Sequence, residues 1–204
     1  MLAKRVYLLI AIVLLIDQLS KIYIKTHFQL YEDVEVLPWF RIVFVENEGM
    51  AWGTRISDFM PFLSPSVAKL LLSLFRIVAV VGIGFWLHHV LKKNKSRILT
   101  VSITVIFAGA LGNILDSVFY GLIFNDSFGQ VAQLFPETGG YSSLFYGKVV
   151  DMLHLPIWSG TISEQIPLVG GMYVSFFDPV FNVAVVAITS GIFTLLLFNK
   201  KAFK

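Results

Sequence analysis

Residues 180–198 read VFNVAVVAITSGIFTLLLF, a run without one charged side chain. A helix needs about 20 apolar residues to cross a bilayer, and this stretch has that length and character. Three more segments compare with it: residues 6–24, 70–91 and 98–115. Asp17 and Lys21 interrupt the first of these. Hydrophobic residues make up 56% of the 204 and charged residues 14%, and mean hydropathy is +0.77. These values lie far from those of a soluble domain. The expected fold class is an all-α membrane protein with four transmembrane helices, forming a single multi-pass domain over residues 1–204.

The basic residues orient those helices. Lys4 and Arg5 precede the first span, Lys92, Lys93, Lys95 and Arg97 join the second to the third, and Lys200, Lys201 and Lys204 follow the fourth. None of these regions holds an Asp or Glu. The acids concentrate in two longer loops, residues 25–67 and 116–179. By the positive-inside rule both termini are expected in the cytoplasm and the two long loops outside. The net charge of +3 is therefore a topology signal, and no nucleic-acid partner is expected. A basic start and an apolar core also suit a signal peptide. The run Asp17-Gln18-Leu19-Ser20-Lys21 offers no small-residue cleavage site, so a retained helix is expected. The absence of cysteine excludes disulfides and thiol chemistry. His27, His88, His89 and His154 lack metal-ligand spacing.

In the first outer loop, Trp39 to Val45 is rich in β-branched and aromatic residues and predicts a strand. Asn47-Glu48-Gly49 supplies a turn signal after it, so a small extracytoplasmic sheet is expected. In the second, Gly139-Gly140 and Ser142-Ser143 suggest a mobile tip.

Polar groups at membrane depth are costly and are functional-site candidates. Asp151, in Val149-Val150-Asp151-Met152, is the foremost, since a carboxylate among apolar neighbours tends towards a raised pKa. Asp17 and Lys21 share a helix face at i, i+4; they either neutralise each other and orient the helix or serve the chemistry directly. Arg76 is expected to face a protein interior or to snorkel, with no function assigned. Gly109, Ala110 and Gly112 permit close helix approach, and Asn113 can bond between helices. Asp116 can cap a helix or buttress a site. Pro179 suits the first helical turn of the fourth span and Asp178 the N-cap before it, while Asn182 needs a partner.

Together these residues resemble one family. The series Asp17-Gln18-x-x-Lys21, Asn47-x-Gly49-x-Ala51-Trp52, Gly109-Ala110-x-Gly112-Asn113-x-x-Asp116, Val149-Val150-Asp151 and Phe181-Asn182-x-Ala184 is similar to the lipoprotein signal peptidases (signal peptidase II). The resemblance implies four transmembrane helices with an outer β-cradle in the bacterial inner membrane. It implies an aspartyl endopeptidase with no metal or other cofactor, whose partners are membrane lipid and the signal peptide of a prolipoprotein. Cleavage falls before a diacylglyceryl-modified cysteine. It maps one catalytic aspartate onto Asp151, and Asp17, Lys21, Asn47, Gly49, Asn113, Asp116 and Asn182 onto positions that support the site or hold substrate. In such a dyad one carboxylate keeps a proton while the other activates water.

The second aspartate of the pattern should follow Ala184, where this chain has Val185. A valine neither accepts nor donates a proton, and Asp178, seven residues earlier, lies about 10 Å away along a helix. Ser117 stands where many members have arginine. The loop between Asp116 and Asp151 is longer than usual and is expected to alter the rim or a lid. The alternatives to a working peptidase are an inactive homologue or mutant that binds lipidated signal peptides, and an unrelated four-helix membrane subunit. A transporter, one form of the latter, would be expected to show internal symmetry between its halves, and none is visible.

Overall fold

The computed structural model describes residues 3–48, 62–156, 158–167, 169–176 and 179–204. Gly49, Ala51, Trp52 and Asp178 lie outside them. Among the described residues, three helices are long and apolar enough to cross a membrane: α1 (Ala3–His27), α2 (Pro65–Lys92) and α3 (Arg97–Leu115) with its continuation to Ile123. A π-helical turn, Asp116–Tyr120, and a last turn α4 (Gly121–Ile123) make up that continuation.

α1 shows how the bundle is arranged. Its buried residues are Val6, Asp17, Lys21, Ile24 and Lys25, whereas Tyr7, Leu8, Ile12, Leu15, Ile16 and Leu19 are exposed. The charged face turns inward and the apolar face outward, the reverse of a soluble helix, because lipid cannot solvate charge. The Ser64 hydroxyl accepts from Val67 N at the start of α2, where Pro65 leads the helix, and the Ser96 hydroxyl accepts from Leu99 N at the start of α3. The short α2–α3 connection turns through Asn94 at φ +49°, a left-handed conformation that asparagine tolerates.

The apolar run over residues 180–198 is divided. Val180–Phe181 form a short strand, β6, and α5 covers only Val183–Leu197, 15 residues, followed by α6 (Asn199–Ala202). At 1.5 Å per residue α5 is about 22 Å long, short of a ~30 Å hydrocarbon layer. The Asp178–Pro179 helix start expected from sequence is therefore corrected. Val180 and Phe181 pair with His154 and Leu153, and the cap is Asn182, whose side chain accepts from Val185 N.

The sheet has the order β1-β2-β3-β6, with β1 (Asp33–Leu37), β2 (Phe40–Asn47) and β3 (Val149–His154) all antiparallel. The strand expected at residues 39–45 is thus present, within a hairpin. A separate pair joins β4 (Trp158–Thr161) to β5 (Tyr173–Phe176). Phe44, Val150 and Met152 turn one face of β2 and β3 towards Ile24, Tyr120, Phe124 and Ala132.

α3 and α5 pack closely against each other. A Cβ on Gly109 would lie 2.4 Å from Ala184 O, and one on Gly191 would lie 2.8 Å from Ser102 O. Small residues are what allow such an approach. Gly109→Ala is expected to lower unfolding stability by about 1–3 kcal/mol through overpacking, measured by thermal unfolding in detergent. Gly82→Ala, which has no neighbour within 4 Å, should be neutral or slightly stabilising; equal effects of the two changes would refute the close-packing argument.

Candidate active site

β3 presents Asp151 beside the start of α5. Its register partner on β2 is Val45, and Val149 faces Asn47. The Asn47 amide donates to one Asp151 oxygen at 3.1 Å, and the Asn182 amide donates to the other at 2.7 Å. Only 4% of Asp151 is exposed. The same Asn182 nitrogen reaches Asn113 Oδ1 and Val150 O, each at 3.2 Å. Asn182 thus caps α5 with its oxygen and holds Asp151 with its nitrogen.

A second layer lies beneath. Lys21 Nζ bonds Asp116 at 2.7 Å, Asp17 at 2.8 Å and Asn113 Oδ1 at 2.9 Å, and all three charged groups are fully buried. The other Asp17 oxygen accepts from Ala184 N at 2.9 Å, so α1 grips the first turn of α5 directly. Gln18, quoted in the sequence motif but given no role there, bonds Asp17, Asp116 and Gly112 O and accepts from the Tyr120 hydroxyl at 3.2 Å. A Cβ on Gly112 would fall 2.5 Å from Asp17 Oδ2, so glycine there makes room for the carboxylate.

Asp17, Lys21, Asn47, Asn113, Asp116, Asn182 and Asp151 therefore form one connected cluster. Asp17 and Lys21 do pair, and Asp116 also joins Lys21. Arg76, left open between interior and snorkelling, points inward, with its guanidinium 3.3 Å from Ser117 Oγ. Its charge interacts with Asp116 and Asp151, so a cation stands beside Ser117, where the resemblance expects an arginine. The signal for it was a cation within the apolar run of residues 70–91.

Asp151 opens onto a cavity of about 490 Å³, whose lining includes Asn47, Phe181, Val185, Thr189 and Phe193. Val185 thus borders the same space as the carboxylate. Burial pushes the Asp151 carboxyl up from its ordinary 3.8 to about 6, against the opposing Asn47 hydrogen bond and Lys21 charge. The folded chain accordingly favours the protonated form. The stability from this preference is complete below the unfolded value and is lost as pH rises through about 6, roughly 2–3 kcal/mol in all. A carboxylic C=O infrared band that appears as pH falls through about 6, and is missing from Asp151→Asn, is the expected signature. Titration near 4 would contradict it.

The long loop before β3 serves the far side of the sheet. Glu46, whose side chain alternates with that of Asn47 along β2, forms ion pairs with Lys25 and Lys148 and accepts from Ser127 Oγ at 2.8 Å. The Lys25 ammonium lies over the Tyr141 and Phe124 rings at 5.1 and 5.3 Å. Burial pushes the Glu46 carboxyl up, but Lys25, Lys148 and Ser127 outweigh it and hold the group below its ordinary value. These loop residues buttress the sheet from behind. Phe124, Ser127, Ala132 and Tyr141 pack behind β2 and β3, away from Asp151.

The family model for signal peptidase (SPase) II matches residues 9–200. A lipoprotein signal peptidase from Porphyromonas gingivalis is 43% identical over 195 residues, covering 95% of this chain and 82% of that protein. Another, from Amoebophilus asiaticus, is 33% identical over 206 residues, covering 98% and 80%. Two solved bacterial membrane enzymes share the fold, with TM-scores of 0.59 and 0.62 at 23% and 22% identity. Each covers 98% of this chain, and the match spans 90% and 95% of theirs. With a family model spanning nearly its whole length, the chain belongs to the signal peptidase II family, the lipoprotein signal peptidases, which are proteases of the membrane.

Proposed function

We propose that this chain recognises the signal peptide of diacylglyceryl-modified prolipoproteins at the outer side of the bacterial cytoplasmic membrane, as one multi-pass domain. The basic ends of the helices support cytoplasmic termini and an outward site, and α5, extended by β6 and α6, acts as the fourth span. Asp151 is the catalytic carboxylate and activates the water that attacks the scissile carbonyl. Asn47 and Asn182 aim it, while Asp17, Lys21, Asn113 and Asp116 hold the start of α5 in place. Gly49 remains a substrate-side position by resemblance.

The observation that carries this reading is the shared cavity of Asp151 and Val185. A carboxylate at 185 would face Asp151, and its absence removes the group that protonates the developing oxyanion. The chain is therefore a binder of lipidated precursor with severely reduced cleavage. Mixing the purified protein with diacylglyceryl-modified and unmodified prolipoprotein tests this. Preferential binding of the modified form, with little product, is expected. Equal treatment of both forms would refute the assignment of substrate.

A further inference from the structure

At the basic end of the bundle, away from Asp151, a groove of about 410 Å³ runs between α3, α5 and α6. It is lined by Arg97, Ile98, Val101, Thr194, Phe198 and Lys201. This volume falls within the ~300–1,000 Å³ of small-molecule sites. Its walls are apolar: the Thr194 hydroxyl is engaged by Ser190 O at 2.8 Å, and Ile98, Val101 and Phe198 supply the rest. Among the described residues that line it, Arg97 and Lys201 are the charged groups.

Their placement is built into the fold. The Ser96 hydroxyl, which caps α3 next to Arg97, also donates to Ala202 O at 2.7 Å. Ala202 is fully buried against Val6, Leu87, Val90, Leu99 and Ile103. Lys201 is thereby held alongside Arg97 and not left on a loose tail. No Asp or Glu occurs in residues 1–16, 59–115 or 179–204, so no acid from these segments neutralises the pair. An occupant must offer an anion at one end and a long apolar body at the other. In a membrane-embedded chain, that combination describes an anionic phospholipid.

We propose that this groove binds one anionic phospholipid, its phosphodiester against Arg97 and Lys201 and an acyl chain along Ile98, Val101 and Phe198. Basic pockets between membrane helices recognise acidic headgroups in this way. Native mass spectrometry of the full chain, released from micelles with phosphatidylglycerol or phosphatidylcholine, tests it. One retained phosphatidylglycerol is expected, with preference over phosphatidylcholine falling roughly tenfold to thirtyfold in the Arg97→Gln/Lys201→Gln variant. The Lys92→Gln/Lys93→Gln variant, at the same end but outside the groove, should retain the preference. Equal loss in both pairs would mean diffuse attraction and overturn the site. Val101→Trp fills the groove without changing charge; lipid still retained by this variant would also overturn it. Millimolar inorganic phosphate should not displace the lipid, and displacement would mean a phosphate site without an acyl component.

Discussion

Val185→Asp is expected to raise cleavage of diacylglyceryl-modified prolipoprotein by about three orders of magnitude or more, the scale of restoring a missing member of a catalytic unit. Valine and aspartate are close in size, so the change costs little packing. Position 185 follows Ala184, whose amide is fixed on Asp17, and its own amide is capped by Asn182. The new carboxylate would sit in the first turn of α5, where a helix N-terminus favours negative charge, bordering the cavity it shares with Asp151. Two carboxylates sharing that cavity are expected to divide one proton. The rate profile should become bell-shaped, with apparent pKa values belonging to the pair. Val185→Asn supplies the shape without the proton and should remain slow. Adding Asp151→Asn to the Val185→Asp chain should abolish the gain. Equal cleavage by the native chain and Val185→Asp would sink the dyad reading.

Lys21→Met should cost about 3–5 kcal/mol of unfolding free energy, because removing one partner leaves buried charge uncompensated. Lys21 is the shared cation of Asp17 and Asp116, and neither carboxylate has access to water. Methionine preserves most of the volume, so lost packing contributes little. The loss should be partly reversed by Asp116→Asn in the same chain, a coupling that a double-mutant cycle in detergent reads directly. A loss below about 1 kcal/mol, within the range of an exposed pair, would show that the cluster is not sealed from water. The variant should also weaken precursor binding, since Asp17 would no longer be held against the first turn of α5.

Local properties were legible in the sequence. Long apolar runs, and basic residues confined to their ends, specify a membrane protein through hydropathy alone. The order and spacing of the polar motifs identified the family, and the valine after Ala184 carries the proposal that a carboxylate is missing there. The helix face shared by Asp17 and Lys21 followed from the 3.6-residue period.

Tertiary structure decided what joins residues far apart in the chain. Hydropathy could not divide residues 180–198 into strand, cap and helix, because that division depends on β3 offering a ladder to Val180 and Phe181. It could not show that Lys21 serves Asp116 as well as Asp17, nor that Arg76 turns towards Ser117, since both contacts arise from helix packing. The placement of the long loop behind the sheet depends on Glu46 meeting Lys25 and Ser127 from separate segments. Burial energies attach to neighbours in space, while the period and hydropathy of a segment attach to neighbours in sequence. The sequence by itself therefore determined the class and the family, and it supplies the proposal of a vacant carboxylate position at Val185. Only the packing of the helices with the sheet decided which groups surround Asp151 and what holds them there.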